Sequence, residues 1–303
     1  MPFTFRPVAL KAGHQNLNSI LMKTSNYKVN MENSQHVLGP ANRMISSQSE
    51  SVVTRLCDIV KACRSDLEKV SEPAPCLVFL PEKQTSDDFT PLYQELKKYF
   101  YPLRSSAPKL IYTYGRASFL MSLTKLNTLI QQYSDSGVWL LGIDSSPAFC
   151  VQDEVTESAI SINDSFFLVK AVGSTDGLVF EWGQIDASTM DKQPGDSIRF
   201  LMRAGAKSAR SSFTNICLPF GVPDNVVEEW SNELHHIHNV VNEESGYLFT
   251  ETEVGDLGAN SGLWKLLQLE HEQRTNPVEG FHCFQLDVSN NKFRAAAALT
   301  WRV

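Results

Sequence analysis

The sequence has no long hydrophobic run, because no apolar stretch approaches the roughly 20 residues that a membrane-spanning helix needs. Residues 1–13 also lack the apolar segment and small-residue cleavage site of a secretory signal, so we expect a cytoplasmic protein. The 27 Lys and Arg residues are scattered along a chain of net charge −7, which argues against nucleic acid as a partner.

Cysteine spacing excludes the common zinc and redox motifs. None of the six cysteines is in a C-x-x-C pair, and Cys76, Cys217 and Cys283 lie in apolar runs where a free thiol usually serves as a small buried hydrophobe. The sequence therefore predicts no cofactor and no metal.

A histidine cluster is the strongest exception to that expectation. His235 and His238 would share one face of a helix, as a pair of metal ligands could. A zinc site usually needs more ligands, and no partner pair is evident, so we expect a solvent-exposed helix. Glu228, Glu229 and Glu233 are interpreted as its solvated face.

What the sequence does contain is a repeated change between helical and strand-like periodicity. The predicted helices cover residues 52–70, 88–100, 118–132, 197–210, 225–241 and 255–272. The predicted strands cover residues 76–80, 109–114, 138–143, 165–169, 213–218, 247–250, 280–288 and 293–301. The short apolar run at residues 76–80 is typical of a strand covered on both faces.

The order of these elements repeats, which predicts two similar halves, residues 1–172 and residues 173–303, in one compact unit. Alternating helices and strands indicate an α/β fold with largely parallel sheets. Two strands follow each other directly at the end of each half, so part of each sheet should be antiparallel.

Three local sequences, in the same order as in the family, resemble the β-ketoacyl synthases of the thiolase-like superfamily. Residues 254–262 (VGDLGANSG) resemble the motif in which Gly-His begins a small-residue helix. Residues 138–145 (VWLLGIDS) look like the apolar strand that runs into a Gly-Val-Asp-Ser turn, and residues 164–169 follow where the family has a Gly-Glu-Ala strand. The resemblance covers most of the chain after about Val52. It implies two pseudo-duplicated halves in a layered αβαβα architecture with mixed sheets.

The resemblance also locates the catalytic positions, and the sequence departs from the family at each of them. Arg116 stands where the family has its nucleophilic cysteine, and a guanidinium cannot act as an acyl nucleophile. Asp256 and Pro219 stand at the two histidine positions, and Glu251 at the lysine position. The histidines would donate hydrogen bonds to an oxyanion, which an ionised Asp256 and a proline cannot do. The condensing reaction is therefore expected to be lost.

Two residues near this site have alternative interpretations. Ser118 follows the turn and could be a substitute nucleophile, but we expect a serine that satisfies a backbone N–H at the start of a helix. Arg116 could bind a carboxylate or phosphate, but we expect an internal ion pair with Asp256 because the two turns converge in this fold.

The resulting hypothesis is a non-catalytic β-ketoacyl synthase-like protein that acts by association, as a partner subunit or scaffold. The alternatives are an acyltransferase, thioesterase or decarboxylase acting on an acyl thioester, and a binding module for acyl carrier protein or acyl-CoA. The resemblance implies a homodimer in which the strand at residues 109–114 pairs with its copy, and an acyl carrier protein is a further candidate partner.

Overall fold

The computed structural model describes residues 1–21, 43–46, 49–85, 87–145, 163–220 and 224–303. The strands are β1 (Phe3–Ala12), β2 (Gln15–Asn16), β3 (Cys76–Phe79), β4 (Lys109–Tyr112), β5 (Val138–Asp144), β6 (Ser165–Gly173), β7 (Gly177–Ala187), β8 (Asn215–Cys217), β9 (Gly246–Leu248), β10 (His282–Val288) and β11 (Phe293–Arg302). The α-helices are α1 (Asn18–Leu21), α2 (Val52–Ala62), α3 (Arg64–Leu67), α4 (Thr90–Tyr99), α5 (Ser118–Gln132), α6 (Asp196–Ser208), α7 (Asp224–Glu233), α8 (Glu251–Val254) and α9 (Ser261–Thr275). None of the helices in these ranges is long and apolar enough to cross a bilayer.

The strand order repeats along the chain. The first group of strands runs β4-β3-β5-β6-β1, and the second runs β7-β11-β10-β8-β9. Each strand of the first group has a counterpart in the second when β1, β3, β4, β5 and β6 are matched in chain order with β7, β8, β9, β10 and β11. With this matching, the second order is the first order read in reverse. They join where Phe3 of β1 pairs with Leu178 of β7. The two groups of strands define the two halves of the fold.

Both sheets are mixed, as the sequence predicts. β3 runs parallel to β4 and β5, while β5 and β6 are antiparallel. In the second half, β8 runs parallel to β9 and β10, while β10 and β11 are antiparallel.

Three hydrophobic cores hold together five layers, which are outer helices, first sheet, central helices, second sheet and outer helices. The central core lies between the sheets and contains α5 and α9, as shown by Leu123 and Leu266. An outer core packs α2 and α4 on the first sheet, and another packs α6 and α7 on the second. Leu77 and Phe79 face the central core while Val78 faces the outer one, which explains the continuous apolar run of β3.

Two long strands, β1 and β7, were not among the strands predicted from the sequence. β1 contains Pro7, which has no N–H to donate, and the register of β1 against β6 shifts between Pro7 and Ala9. The register of β7 against β11 shifts between Ala298 and Leu299, where Trp182 and Phe180 are the partners. Both irregularities break the simple alternation that identifies a strand.

Three helix predictions need correction. The helix predicted at residues 52–70 ends at Ala62, and the short helix α3 follows at Arg64–Leu67. The helix predicted at residues 225–241 ends at Glu233, and a 3-10 helix follows at Leu234–Val240. The helix predicted to begin at Gly255 begins at Ser261, because Gly255 ends α8 and a 3-10 turn intervenes.

Candidate functional site

Each of the two central helices begins at a tight turn that contains a left-handed glycine. Gly115 has φ of 56° and Gly258 has φ of 54°, values that glycine adopts without a steric penalty. The 3-10 turns Gly115–Ala117 and Gly258–Asn260 lead directly into α5 and α9. The two turns pack against each other, so the N-termini of the helices from both halves meet.

Arg116 and Asp256 form a bidentate ion pair at this meeting point. Arg116 Nε lies 3.0 Å from Asp256 Oδ1, and Arg116 Nη2 donates to Asp256 Oδ2. The side chains are 6% and 13% exposed. Arg116 Nη1 also donates to Asn290 Oδ1, and Asp256 Oδ1 accepts a 2.8 Å hydrogen bond from the N–H of Gly258. The predicted ion pair is therefore confirmed.

The surroundings keep Arg116 charged. Burial by itself disfavours the charged guanidinium, but the attraction and hydrogen bonding of Asp256 outweigh it, so the pKa of Arg116 is raised. A guanidinium held in this way has no lone pair with which to attack a thioester. Arg116 can therefore form an ion pair or contact an anion, but it cannot act as the nucleophile of acyl transfer.

Asp144 ends β5 beside the same turns. Its Oδ2 atom accepts a 2.6 Å hydrogen bond from the N–H of Ala259, and its carboxyl group lies against Gly258. Burial raises the pKa of Asp144 to about 7, and the negative charge of Asp256 contributes to the increase. Asp144 therefore changes charge near neutral pH at the contact between the halves.

A second buried charge cluster surrounds Lys265, one helical turn after the start of α9. Lys265 Nζ lies 3.0 Å from Glu251 Oε1 and 2.9 Å from Asp287 Oδ1, and each of the three side chains is 1% exposed. Burial raises the pKa of Glu251, although Lys265 opposes the increase. The acidic residue predicted at the lysine position is thus paired with a lysine from α9.

No protein-family model matches the sequence, and no curated protein matches it. Solved structures, in contrast, match along the whole chain. The ishigamide ketosynthase/chain length factor is 12% identical with a TM-score of 0.63, and the match covers 99% of each chain. The 1,3,6,8-tetrahydroxynaphthalene synthase of Streptomyces coelicolor A3(2), a bacterial type III polyketide synthase, is 10% identical with a TM-score of 0.58, and the match covers 100% of each chain.

These full-length matches, together with the repeated strand order, decide the architecture. The chain has a thiolase-like fold. The matched region includes β1, so the structural likeness begins near the N-terminus. The sequence motifs alone suggested a likeness that begins at about Val52. Similarity at this level of identity establishes the thiolase-like fold and not an activity.

Ser118 has a structural part in this thiolase-like fold. Its hydroxyl is buried, accepts a 3.0 Å hydrogen bond from the N–H of Tyr114, and lies 3.3 Å from the carbonyl oxygen of Leu80. The interpretation of Ser118 as a helix-start serine that satisfies a backbone N–H is confirmed, because its hydroxyl accepts from Tyr114, just before the turn.

Pro219 is buried and lies two residues after the end of β8. The ring of Phe220, the next residue, is 5.6 Å from that of Phe249, near the start of α8. The two predicted histidine positions therefore differ, because Asp256 enters the charged contact and Pro219 belongs to an apolar corner.

A buried network that was not predicted from the sequence supports the end of β5. Arg55 Nη2 lies 3.0 Å from Asp164 Oδ1, Arg55 Nε lies 2.7 Å from Ser145 Oγ, and both charged side chains are fully buried. Ser145 Oγ also donates to Asp164 Oδ1 over 2.6 Å. One sequence signal was available, because Arg55 is four residues before Ile59 on the apolar stripe of α2.

The cysteines follow the prediction where the structure describes them. Cys76, Cys217 and Cys283 are fully buried, and burial raises the pKa of Cys76 to about 12. Cys150, the nearest cysteine downstream of Arg116, lies outside the described residues.

Proposed function

We propose that the protein is a non-catalytic β-ketoacyl synthase-like subunit that works by association with another protein. The observation that carries this proposal is the Arg116–Asp256 ion pair, which occupies both positions at which the resemblance expects the nucleophile and a histidine. A condensing site needs a nucleophile and hydrogen-bond donors aimed at the thioester oxygen. The ion pair supplies neither, since the guanidinium donors of Arg116 are directed at Asp256 and Asn290.

The neighbouring substitution supports the same proposal. Glu251 stands at the expected lysine position and is held by Lys265, which is itself held by Asp287. Lys265 is the essential member of this network, because its removal would leave two buried carboxylates unpaired. In this proposal, the residues at the expected acyl site pair with other residues of the same chain.

The partner we propose first is a second chain of the same fold. One of the full-length matches is a ketosynthase/chain length factor, which makes a subunit role a reasonable analogy. β4 lies at the free edge of the first sheet, and Ile111 on this strand is 44% exposed. An exposed apolar edge strand favours pairing with another edge, and we propose a homodimer through β4. An acyl carrier protein is a further candidate partner.

The enzyme alternatives have less support. An acyltransferase, thioesterase or decarboxylase would need a nucleophile or an acid–base group aimed at a thioester, and the Ser118 hydroxyl is occupied by backbone contacts. A binding module for acyl carrier protein or acyl-CoA would need Arg116 to release Asp256 before it could hold an anion. The ion pair therefore favours association over both alternatives.

The proposal is tested by incubation with malonyl- and acyl-carrier-protein substrates, with products followed by mass spectrometry. We expect no turnover above a heat-treated control, for the wild type and for Arg116→Ala alike. Turnover that Arg116→Ala or Asp256→Ala abolishes would refute the proposal and support an enzyme. An increase in melting temperature with acyl-CoA, without turnover, would instead support the binding module.

A further inference from the structure

The end of α7 arranges one carboxylate and two imidazoles close together near the surface. α7 ends at Glu233, and the chain continues as a 3-10 helix through residues Leu234–Val240. A 3-10 helix has three residues per turn, so residues three apart are aligned along its axis. Glu233 and His236 are aligned in this way, and the rings of His235 and His236 have centroids 3.8 Å apart.

Glu233 is not the solvated side chain that the sequence suggested. It is 8% exposed, and its two oxygens accept from Arg199 Nη2 and Nε at 2.9 Å each. The absence of a side chain at Gly195 makes room for it, since a Cβ there would lie 2.9 Å from Glu233 Oε1. Arg199 uses only part of the carboxylate's capacity, because two oxygens offer about four lone-pair sites. Glu233 is therefore fixed in place and still able to bind a further group.

The two imidazoles lie close to this carboxylate. His236 Nε2 is buried and lies 3.0 Å from Glu233 Oε2, yet it has no aligned hydrogen-bond partner among the described residues. His235 Nδ1 lies 2.9 Å from the carbonyl oxygen of Asn232, so this nitrogen carries the proton and Nε2 keeps its lone pair. A histidine that donates one N–H to a carbonyl oxygen has the arrangement usual for a metal ligand.

We propose that Glu233, His235 and His236 bind a divalent transition-metal ion, with zinc as the best fit. Ligand atoms of the three side chains lie within 4.8 Å of one another. Two imidazoles and a carboxylate are a known ligand set for Zn²⁺ with an open position, and rotation of the exposed His235 ring closes the remaining distance.

The local charge permits a cation despite the presence of Arg199. Arg199 Nη1 also contacts Asp196 Oδ1 at 2.8 Å, so its single positive charge is shared by two carboxylates. The group that opposes binding is Arg203, whose Nε lies 3.5 Å from His236 Nδ1. Because Arg203 is exposed, Arg203→Met should not disturb the core. It should tighten zinc binding, because it removes a positive charge that repels the ion.

The test is isothermal titration of ZnCl₂ into the full-length protein after removal of any polyhistidine tag. Co²⁺ absorption spectra provide a second readout of the coordination. We expect one Zn²⁺ per chain for the wild type and at least about tenfold weaker binding for His235→Ala. The matched control is His238→Ala, because His238 is an exposed histidine on the same 3-10 helix and outside the cluster. It should bind within about twofold of the wild type.

Three results would overturn the proposal. The first is the absence of stoichiometric zinc binding by the wild type at micromolar protein concentration. The second is an equal loss of zinc affinity for His235→Ala and His238→Ala. The third is an unchanged zinc affinity for Glu233→Gln when its melting temperature is also unchanged. Because His235 is exposed and contacts only neighbouring surface groups, the carbonyl of Asn232 and the ring of His236, its variant remains informative even where Glu233→Gln unfolds the chain.

Discussion

Arg116 of the first half and Asp256 of the second half hold each other through two N–H···O contacts across the boundary between the halves. Because the pair is almost fully buried, loss of either partner leaves a charge without compensation. We expect Arg116→Met and Asp256→Leu each to lower the free energy of unfolding by about 3–5 kcal/mol, and the double variant to lose much less.

The matched control for this cycle is the exposed pair of Arg64 and Glu68, whose side chains are 59% and 45% exposed. Arg64→Met and Glu68→Leu should each change stability by less than about 1 kcal/mol. Urea unfolding measures the single and double variants of both pairs. Additive effects of Arg116→Met and Asp256→Leu would contradict the coupling.

Asp144 should make stability depend on pH. Its folded pKa of about 7 is above the ordinary value for an unfolded aspartate, so its contribution is present in acid and is lost as pH rises from about 4 to 7. Asp144→Asn keeps an acceptor for the N–H of Ala259 but cannot ionise.

We therefore expect Asp144→Asn to match the wild type near pH 4.5 and to be more stable by a few kcal/mol at pH 8. Urea unfolding across this range measures the difference, with Asp135→Asn at an exposed position as the control. A constant difference between the wild type and Asp144→Asn at every pH would show that Asp144 does not titrate between pH 4.5 and 8.

Gly258 should tolerate no side chain. A Cβ there would lie 2.2 Å from Asp144 Cγ, and the residue has φ of 54°. Gly280 has φ of 68°, but a Cβ at that position would meet nothing within 4 Å. Comparison of the two glycines therefore separates the cost of backbone strain from the cost of a steric clash. We expect Gly280→Ala to cost about 1 kcal/mol and Gly258→Ala clearly more, as measured by thermal unfolding. Equal losses would mean that Asp144 moves aside without cost.

The β4 edge should control self-association. Ile111 is 44% exposed on this edge strand, and Phe200 is 47% exposed on α6, outside the sheet. We expect Ile111→Glu to shift the protein toward the 33.9 kDa monomer in sedimentation, and Phe200→Glu to leave the dimer unchanged. A monomeric wild type at micromolar concentration would contradict the dimer.

Regular periodicity predicted much of this fold. The helix predicted at residues 118–132 coincides with α5, because its apolar residues recur at helical spacing between two clear turns. β1 and β7 were missed because a proline and a register shift interrupt their alternation. The interior of a strand is easier to recognise than a bulge, since a bulge is defined by its partner strand.

The site was predictable only where a motif marked it. Arg116 and Asp256 lie in turns that the family resemblance identifies, so their contact could be anticipated. Lys265 and Asp287 carry no such mark, because each is a single charged residue in an apolar segment whose partner is distant in the chain. Their pairing depends on the packing of α9 against β10, which local sequence does not encode.

The ion pair also links the substitutions that these two positions can accept. A cysteine at position 116 alone would leave the buried carboxylate of Asp256 unpaired, and a histidine at position 256 alone would face the charge of Arg116. Each single change therefore produces a less stable protein, while a joint change avoids an unpaired charge. Positions 116 and 256 thus behave as one unit of substitution, although they belong to different halves of the chain.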